Sequence, residues 1–218
     1  MAIWKVRPLL QERIWGGRNL EAFGRSCPEG QKIGESWELV DRPEAQSVVE
    51  QTGQTLGSLW RGSERERIFG RRAGQGERFP ILIKLLDAEE KLSLQVHPPA
   101  ERAKELGGEP KTEMWFFLRT QPKADIYVGL KKGVGRAEFE EALATGKVAD
   151  CFHRLETEPG AAMFLPSGRV HAIGAGNVIL EIQQNSDTTY RVYDWDRKDG
   201  AGQPRALHVK EALASIRW

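Results

Sequence analysis

The sequence reads Leu-Ser-Leu-Gln-Val-His-Pro over residues 92–98, and apolar and polar side chains alternate strictly from position 92 to position 97. Alternation with a period of two is typical of a half-buried β-strand, whose successive side chains point to opposite faces. It places Ser93, Gln95 and His97 on one face of the strand. Because a glutamine and a histidine two positions apart can direct an oxygen and a nitrogen at one point, this strand is expected to contribute to a polar site.

A second stretch, far along the chain, has the same character. Residues 177–191 read Asn-Val-Ile-Leu-Glu-Ile-Gln-Gln-Asn-Ser-Asp-Thr-Thr-Tyr-Arg, which begins as an apolar strand and ends on an arginine beside an aromatic residue. The two stretches together indicate a site that combines a metal with an arginine on a β scaffold, and therefore an enzyme.

The rest of the chain has the texture of many short strands joined by turns, with 23 glycines and 11 prolines between short apolar runs. Strands are predicted at residues 79–86, 92–96, 113–118, 125–128, 161–165, 178–183 and 189–193. Helices are predicted at residues 100–106, 136–144 and 207–216, with a mostly charged one at 58–69. Since strands predominate and helices are peripheral, we expect an all-β barrel or sandwich.

The length of 218 residues suits one large domain, or a core domain with a small appendage. We expect a single catalytic domain over residues 1–218, with a short helical excursion around 54–78 and a C-terminal helix at 207–216. Residues 61–78, rich in arginine, glutamate and glycine, are expected to form a solvated surface segment.

The charge balance argues against nucleic-acid and membrane partners, because 32 lysines and arginines face 31 acidic residues. No apolar run approaches the roughly 20 residues of a membrane helix, and the N-terminus has no apolar signal-peptide core. Cys27 and Cys151 have no metal-binding spacing, so a cytoplasmic protein with reduced thiols is expected, and a single disulfide is the alternative. The oligomeric state is left open.

Candidate metal ligands come from four separate segments: Gln95, His97, Glu113 and His171. A mixed nitrogen and oxygen set without thiolates suits a catalytic zinc, and manganese, cobalt or iron(II) are alternatives. Each histidine could instead be a packed or surface residue. The alternative for Glu113 is a strand-end carboxylate paired with Lys111.

Two basic residues lie in apolar surroundings, where a charge needs a partner or a polar cavity. Lys84 falls within Ile-Leu-Ile-Lys-Leu-Leu, residues 81–86, and its alternative role is on an edge strand with the ammonium reaching water. Arg191 alternates with apolar neighbours, and its alternative role is a structural bridge between loops. A site for a phosphate or a developing enediolate would require such cations.

Several segments together resemble the type I phosphomannose isomerases, zinc enzymes of the cupin superfamily. They read FPILIKLLDAEEKLSLQVHPP, KTEMWFFL and LPSGRVHAIGAGNVILEIQQNSDTTYRVYDWDR, with RIWGG and GESWEL near the N-terminus. They follow the family's order from about residue 8 to residue 210. The resemblance implies a cupin, or jelly-roll, fold with one zinc ion per chain and a sugar phosphate as substrate.

The resemblance also assigns roles. It implies that the metal ligands are Gln95, His97, Glu113 and His171, that Arg191 is the catalytic arginine, and that Glu181, Lys84, Ser93 and Lys111 line the substrate pocket. The region of Trp37 would be a strand that supports the site, while His153 and His208 match no site position. Family members usually continue into a further C-terminal β domain, so the metal chemistry is expected more firmly than a preference for mannose 6-phosphate.

The implied reaction interconverts mannose 6-phosphate and fructose 6-phosphate through an enediol. Glu181 is a candidate for the base that removes the carbon-bound proton, and Lys111 is another if burial lowers its pKa. Arg191 would stabilise the enediolate or bind the phosphate. The alternatives are an iron(II) oxygenase, a non-catalytic cupin that binds a sugar phosphate, and an isomerase for a different sugar.

Overall fold

The computed structural model describes residues 3–74, 76–199 and 201–218. Its strands are β1 Leu9–Gly17, β2 Ile33–Leu39, β3 Asp41–Arg42, β4 Ala45–Gln46, β5 Ile81–Ala88, β6 Leu94–Val96, β7 Glu113–Thr120, β8 Asp125–Leu130, β9 Phe152–Glu156, β10 Ala162–Leu165, β11 His171–Ile173, β12 Asn177–Gln184 and β13 Tyr190–Tyr193. Its α-helices are α1 Leu56–Arg61, α2 Arg65–Phe69, α3 Ala100–Ala103, α4 Arg136–Ala144 and α5 Val209–Ser215. Short 3₁₀ helices span Asn19–Phe23 and Val148–Cys151.

Within these residues, two antiparallel sheets share one core. The first has the strand order β1-β2-β5-β12-β7-β10 and the second the order β13-β6-β11-β8-β9. Buried residues from both sheets contact one another, among them Trp15, Trp115, Ile126 and Ile173. The fold is therefore mostly β, as the sequence predicted, with the sandwich arrangement of a cupin.

From Leu94 to His97 the alternating stretch has the two faces that its pattern predicted, whereas Leu92, which precedes the strand, packs in the core between the sheets and was expected on the outer face. Leu94 and Val96 are fully buried on the outer face of the second sheet, in a cluster that includes Phe139 of α4 and Leu213 of α5. Gln95 points the opposite way, into a cavity between the sheets. The helices thus cover the outer face of this sheet and leave its inner face for polar side chains.

Most predicted elements are confirmed with small shifts at their ends, and α4 coincides with the predicted helix. The region of Trp37 forms β2, as the resemblance implied. The segment after Arg61 is more ordered than a solvated excursion, because it contains α2, whose Phe69 packs edge-on against Trp60 with ring centroids 5.2 Å apart.

Cys27 and Cys151 are both buried free thiols, so the disulfide alternative is wrong. No helix in the described part of the chain has the length and apolar character that crossing a membrane requires.

Candidate metal centre and substrate cavity

Three buried side chains converge between the sheets. Glu113 is the first residue of β7, His171 is the first residue of β11, and His97 directly follows β6. Their ligand atoms all lie within 4.8 Å of one another, and each residue is at most 2% exposed. The Nε2 atoms of His97 and His171 lie 3.5 and 3.2 Å from the two oxygens of the Glu113 carboxylate.

Backbone carbonyls fix the orientation of both imidazole rings. The Nδ1 atom of His97 lies 2.8 Å from the carbonyl oxygen of Thr188, and that of His171 lies 2.8 Å from the carbonyl oxygen of Arg169. A carbonyl only accepts hydrogen bonds, so each Nδ1 carries a proton and each ring directs Nε2, the nitrogen whose lone pair could bind a metal, to the cluster.

Two buried atoms of the cluster lack a hydrogen-bond partner among the described residues: Nε2 of His97 and Oε1 of Glu113. Buried polar atoms are seldom left unpaired, because each forfeits its hydration. A divalent cation would satisfy both atoms, so the residues present fit a metal ion.

Gln95 lies beside this cluster because of strand register. It pairs with His171 on one side and with Arg191 on the other, and its Nε2 lies 3.4 Å from Nε2 of His171. Rotating the amide by 180° exchanges its nitrogen and oxygen, which would present the oxygen to the cluster. All four predicted ligands are therefore neighbours.

Lys111 connects the cluster to a second buried carboxylate. Its Nζ donates to Oε2 of Glu113 at 2.5 Å and lies 3.6 Å from Oε1 of Glu181. The indole nitrogen of Trp115, opposite Glu181 across the β7–β12 pair, donates to Oε2 of Glu181 at 3.0 Å. Glu113 therefore pairs with Lys111, which was given above as an alternative to metal binding, and it also lies within the group of candidate metal ligands.

The proton affinities differ sharply within this group. Burial alone would lower the pKa of Lys111, but Glu113 and Glu181 override it and raise that pKa. Burial alone would raise the pKa of Glu113, yet Lys111 and His97 hold it well below its usual range. Burial, with the Glu113 charge as a further cause, raises the pKa of Glu181. Burial and the Lys111 charge lower the pKa of His97 to about 4.

Lys84 occupies a central strand, and the edge-strand alternative is wrong. Its strand β5 lies between β2 and β12, and the residue is 3% exposed. Its Nζ lies 3.4 Å from Asp187, 3.6 Å from Glu35 and 4.7 Å from the centre of the Trp37 ring. The ammonium is therefore paired inside the protein rather than hydrated.

Glu35 is expected to make stability depend on pH. Burial would raise its pKa, but Lys84 and Arg13 lower it from 4.5 to about 2. A depressed pKa stabilises the folded state above the unfolded value, and this contribution is lost as the pH falls from 4.5 towards 2. Glu35→Gln should cost roughly 3 kcal/mol of unfolding free energy at pH 7 and progressively less below pH 4.5.

Urea unfolding of both proteins between pH 3 and pH 7 would measure this difference. Glu158→Gln, at an exposed carboxylate, is the control and should show none. A Glu35→Gln deficit that stays constant with pH would contradict the assignment.

A cavity of about 370 Å³ opens beside the cluster. Its walls include every residue predicted to line the substrate pocket, together with the candidate catalytic arginine and one candidate metal ligand: Lys84, Ser93, Lys111 and Glu181, with Arg191 and Gln95. Arg191 donates through Nη1 to the carbonyl of Ala206 at 2.9 Å, so it does bridge to another segment, but it also faces this cavity.

Other cavity residues were not predicted: Arg13, Glu35, Asp187 and Arg205. Glu35 lies in the quoted GESWEL segment and Arg13 begins RIWGG, so the sequence signalled their neighbourhood but not their role. Arg205 lies outside any regular element and gave no periodic signal. His208 has a structural part, because its Nδ1 accepts from the backbone nitrogen of Arg191 at 3.3 Å, while His153 is exposed on β9.

Comparisons with known proteins identify the family of this chain. A family model described as phosphomannose isomerase type I, catalytic domain, matches residues 3–127. A mannose-6-phosphate isomerase of Bacillus subtilis is 42% identical over 215 residues, which is 96% of this chain and 66% of that protein. A mannose-6-phosphate isomerase of Streptococcus mutans is 38% identical over 209 residues, 94% of this chain and 64% of that protein.

The crystal structure of a Bacillus subtilis mannose 6-phosphate isomerase superposes with a TM-score of 0.88 at 37% identity, covering 98% of this chain and 68% of that one. The chain thus spans about two thirds of the length of the relatives it matches.

Proposed function

The chain belongs to the type I phosphomannose isomerases, and from that premise we propose that it interconverts mannose 6-phosphate and fructose 6-phosphate as a metal-dependent aldose–ketose isomerase. The observation that carries the proposal is the buried group of His97, Glu113 and His171, which opens beside a cavity lined by cations and carboxylates. A non-catalytic sugar-binding module has little use for an unpaired ligand set of this kind.

The proposed metal is one zinc ion, held by His97, Glu113, His171 and Gln95, and another divalent cation is the alternative. Such an ion, when bound, acts as a Lewis acid that stabilises negative charge on a substrate oxygen. Metal ligation requires the neutral form of both histidines, and the ionised Glu113 then gives the site one negative charge, which suits a divalent cation.

Aldose–ketose conversion transfers a proton from C2 to C1, and a second proton from O2 to O1. Glu181 is the proposed base for the carbon-bound proton, because its raised pKa makes its carboxylate a stronger base than that of an ordinary glutamate. The hydrogen bond from Trp115 fixes one oxygen of this carboxylate and leaves the other towards Lys111 and the cavity.

Lys111 is less suited to be the base. That role required a lowered pKa, whereas its two carboxylate neighbours raise it. We assign it as a permanent cation that keeps Glu113 ionised and stabilises negative charge developing on the sugar oxygens. Lys84 and Ser93 are proposed to bind the sugar, and Arg191 contributes positive charge to the same cavity.

The test is an isomerisation assay with mannose 6-phosphate on the purified protein as isolated, after chelation, and after zinc is returned. We expect activity that chelation removes and zinc restores. Absence of turnover with zinc bound would overturn the proposal. In that case tight binding of the sugar phosphate would identify a binding module, and turnover of another sugar would identify a different isomerase.

A cytoplasmic location is proposed as well. Two buried free thiols support it, because reduced cysteines persist in that compartment.

A further inference from the structure

Two groups of charged residues lie at the substrate cavity, and they differ in their charge balance. In the first group, which comes from β1, β2, β5 and the loop before β13, two cations face two carboxylates. Arg13 donates to Glu35 at 2.9 Å, and Lys84 lies 3.6 Å from Glu35 and 3.4 Å from Asp187. The charges of this group are matched within the protein, so no cation is left to pair with an anionic ligand.

The second group, from β13 and the segment after it, has an excess of positive charge. Its carboxylate is Asp194, and its cations are Arg191, Arg197 and Arg205. Arg205 contacts both Asp194 oxygens through Nε at 2.7 Å and Nη2 at 2.6 Å, and Arg197 contacts Oδ1 at 2.5 Å. Arg191 has no contact with this carboxylate among the described residues and donates instead to a backbone carbonyl.

Two features of Arg191 indicate that it binds an anionic ligand. Its Nε is buried without a hydrogen-bond partner among the described residues. Burial, together with repulsion from Arg205, lowers its pKa, so the protein itself makes this cation unfavourable. Residues at a binding site are commonly left in such a state, since the ligand supplies the missing charge and acceptors.

Arg205 is pre-oriented for the same purpose. Asp194 binds one edge of its planar guanidinium, through Nε and Nη2, and the residue lines the cavity with its Nη1 outside this pairing. A guanidinium fixed in this way loses little rotational freedom when an oxyanion binds its remaining N–H groups.

We propose that Arg205, acting with Arg191, binds the phosphate group of the substrate and so selects phosphorylated over free sugars. This rests on the proposed function. Arg191 is paired in register with the candidate ligand Gln95, while Arg205 approaches from the segment beyond β13. The reacting carbons would therefore lie beside the candidate metal ligands, and the terminal phosphate would lie beside Arg205. Three guanidinium groups and the Asp194 carboxylate leave a net charge of +2 in this group (+3 and −1), which matches a phosphate dianion.

Isothermal titration calorimetry with sorbitol 6-phosphate and with sorbitol tests the proposal on the zinc-supplemented protein, because neither polyol can isomerise. Arg205→Gln should weaken sorbitol 6-phosphate binding by about 30-fold and leave sorbitol binding unchanged, since it removes charge-assisted hydrogen bonds to the phosphate alone. Arg205→Lys keeps the charge without the fork and should lose about 5-fold. Thermal melting would verify that both variants fold.

Arg197→Gln is the matched control. Arg197 also contacts Asp194 but does not line this cavity, so its loss should change sorbitol 6-phosphate binding by less than about 3-fold. Equal weakening by Arg197→Gln and Arg205→Gln would overturn the proposal, because the effect would then belong to the Asp194 cluster. Unchanged binding in Arg205→Gln would overturn it too.

The outcome is separable from that of the proposed function. If the wild-type protein binds sorbitol 6-phosphate through Arg205 but does not isomerise mannose 6-phosphate, the phosphate site is supported and the isomerase function is overturned. If the protein is an active isomerase whose binding of sorbitol 6-phosphate and KM are unaffected by Arg205→Gln, the isomerase function is supported and the phosphate site is overturned.

Discussion

Replacing Glu113 with glutamine is expected to remove metal binding and to lower kcat/KM for isomerisation by about 1,000-fold, because a bound cation contributes several kcal/mol to charge stabilisation. The Glu113 carboxylate lies between Nε2 of His97 and Nε2 of His171, and it is the anionic member of the cluster. A glutamine has nearly the same shape but no charge, so it tests the electrostatic part of the site with little change in packing.

Metal content after dialysis, measured by mass spectrometry alongside steady-state kinetics, would check this result. Glu158→Gln removes an equivalent charge from an exposed position and should leave both quantities unchanged. A Glu113→Gln protein that retains one metal ion per chain and its activity would show that the metal lies elsewhere or has no part in turnover.

Replacing Lys111 with methionine should have the second large effect. It should lower the stability of the metal-free protein and raise the affinity for zinc. In the metal-free protein it leaves Glu113 and Glu181 buried without their shared cation, which should cost roughly 3–5 kcal/mol of unfolding free energy. A zinc ion would then supply positive charge next to Glu113, without a lysine 2.5 Å away to repel it. Zinc should therefore bind more tightly to the variant, although isomerase activity falls because the cation beside Glu181 is gone.

Urea unfolding with chelator and with zinc would measure both changes. The gain in unfolding free energy on adding zinc should be larger for Lys111→Met than for the wild type, by about 1 kcal/mol or more. Lys84→Met is the matched control, since Lys84 is an equally buried lysine whose nearby carboxylates, Glu35 and Asp187, are not proposed ligands. Lys84→Met should lower the unfolding free energy, but the increase in unfolding free energy on adding zinc should equal that of the wild type.

The strands that carry the ligands were predictable because each has a strong local pattern. Strict alternation predicted the strand of Gln95, and the apolar runs predicted β7 and β12 to within two residues at either end. β1 and β2 were not predicted as strands from periodicity. Most of their residues are buried or half-buried on both faces, so apolar and polar side chains do not alternate regularly along them. Only the quoted family segments indicated that this region supports the site.

The charges of the site were less predictable, because each depends on partners distant in the chain. An apolar run cannot reveal whether Lys84 reaches water or an internal carboxylate, and here the partners come from β2 and from the loop before β13. The direction of the Lys111 pKa, on which its proposed role as a base depended, was unpredictable for the same reason. Its pKa is set by Glu181 as well as by its sequence neighbour Glu113.

The sequence by itself determined the β architecture, the family and the identity of the candidate ligands, because periodicity and motif order are local properties of the chain. Only the tertiary structure decided which nitrogen of each histidine faces the cluster, which carboxylate has a raised pKa, and which group of charged residues at the cavity has uncompensated positive charge. Each of these depends on distances of a few ångströms between residues that sheet pairing brings together. Electrostatic energies in a buried site vary steeply over such distances, and no pattern along the chain encodes them.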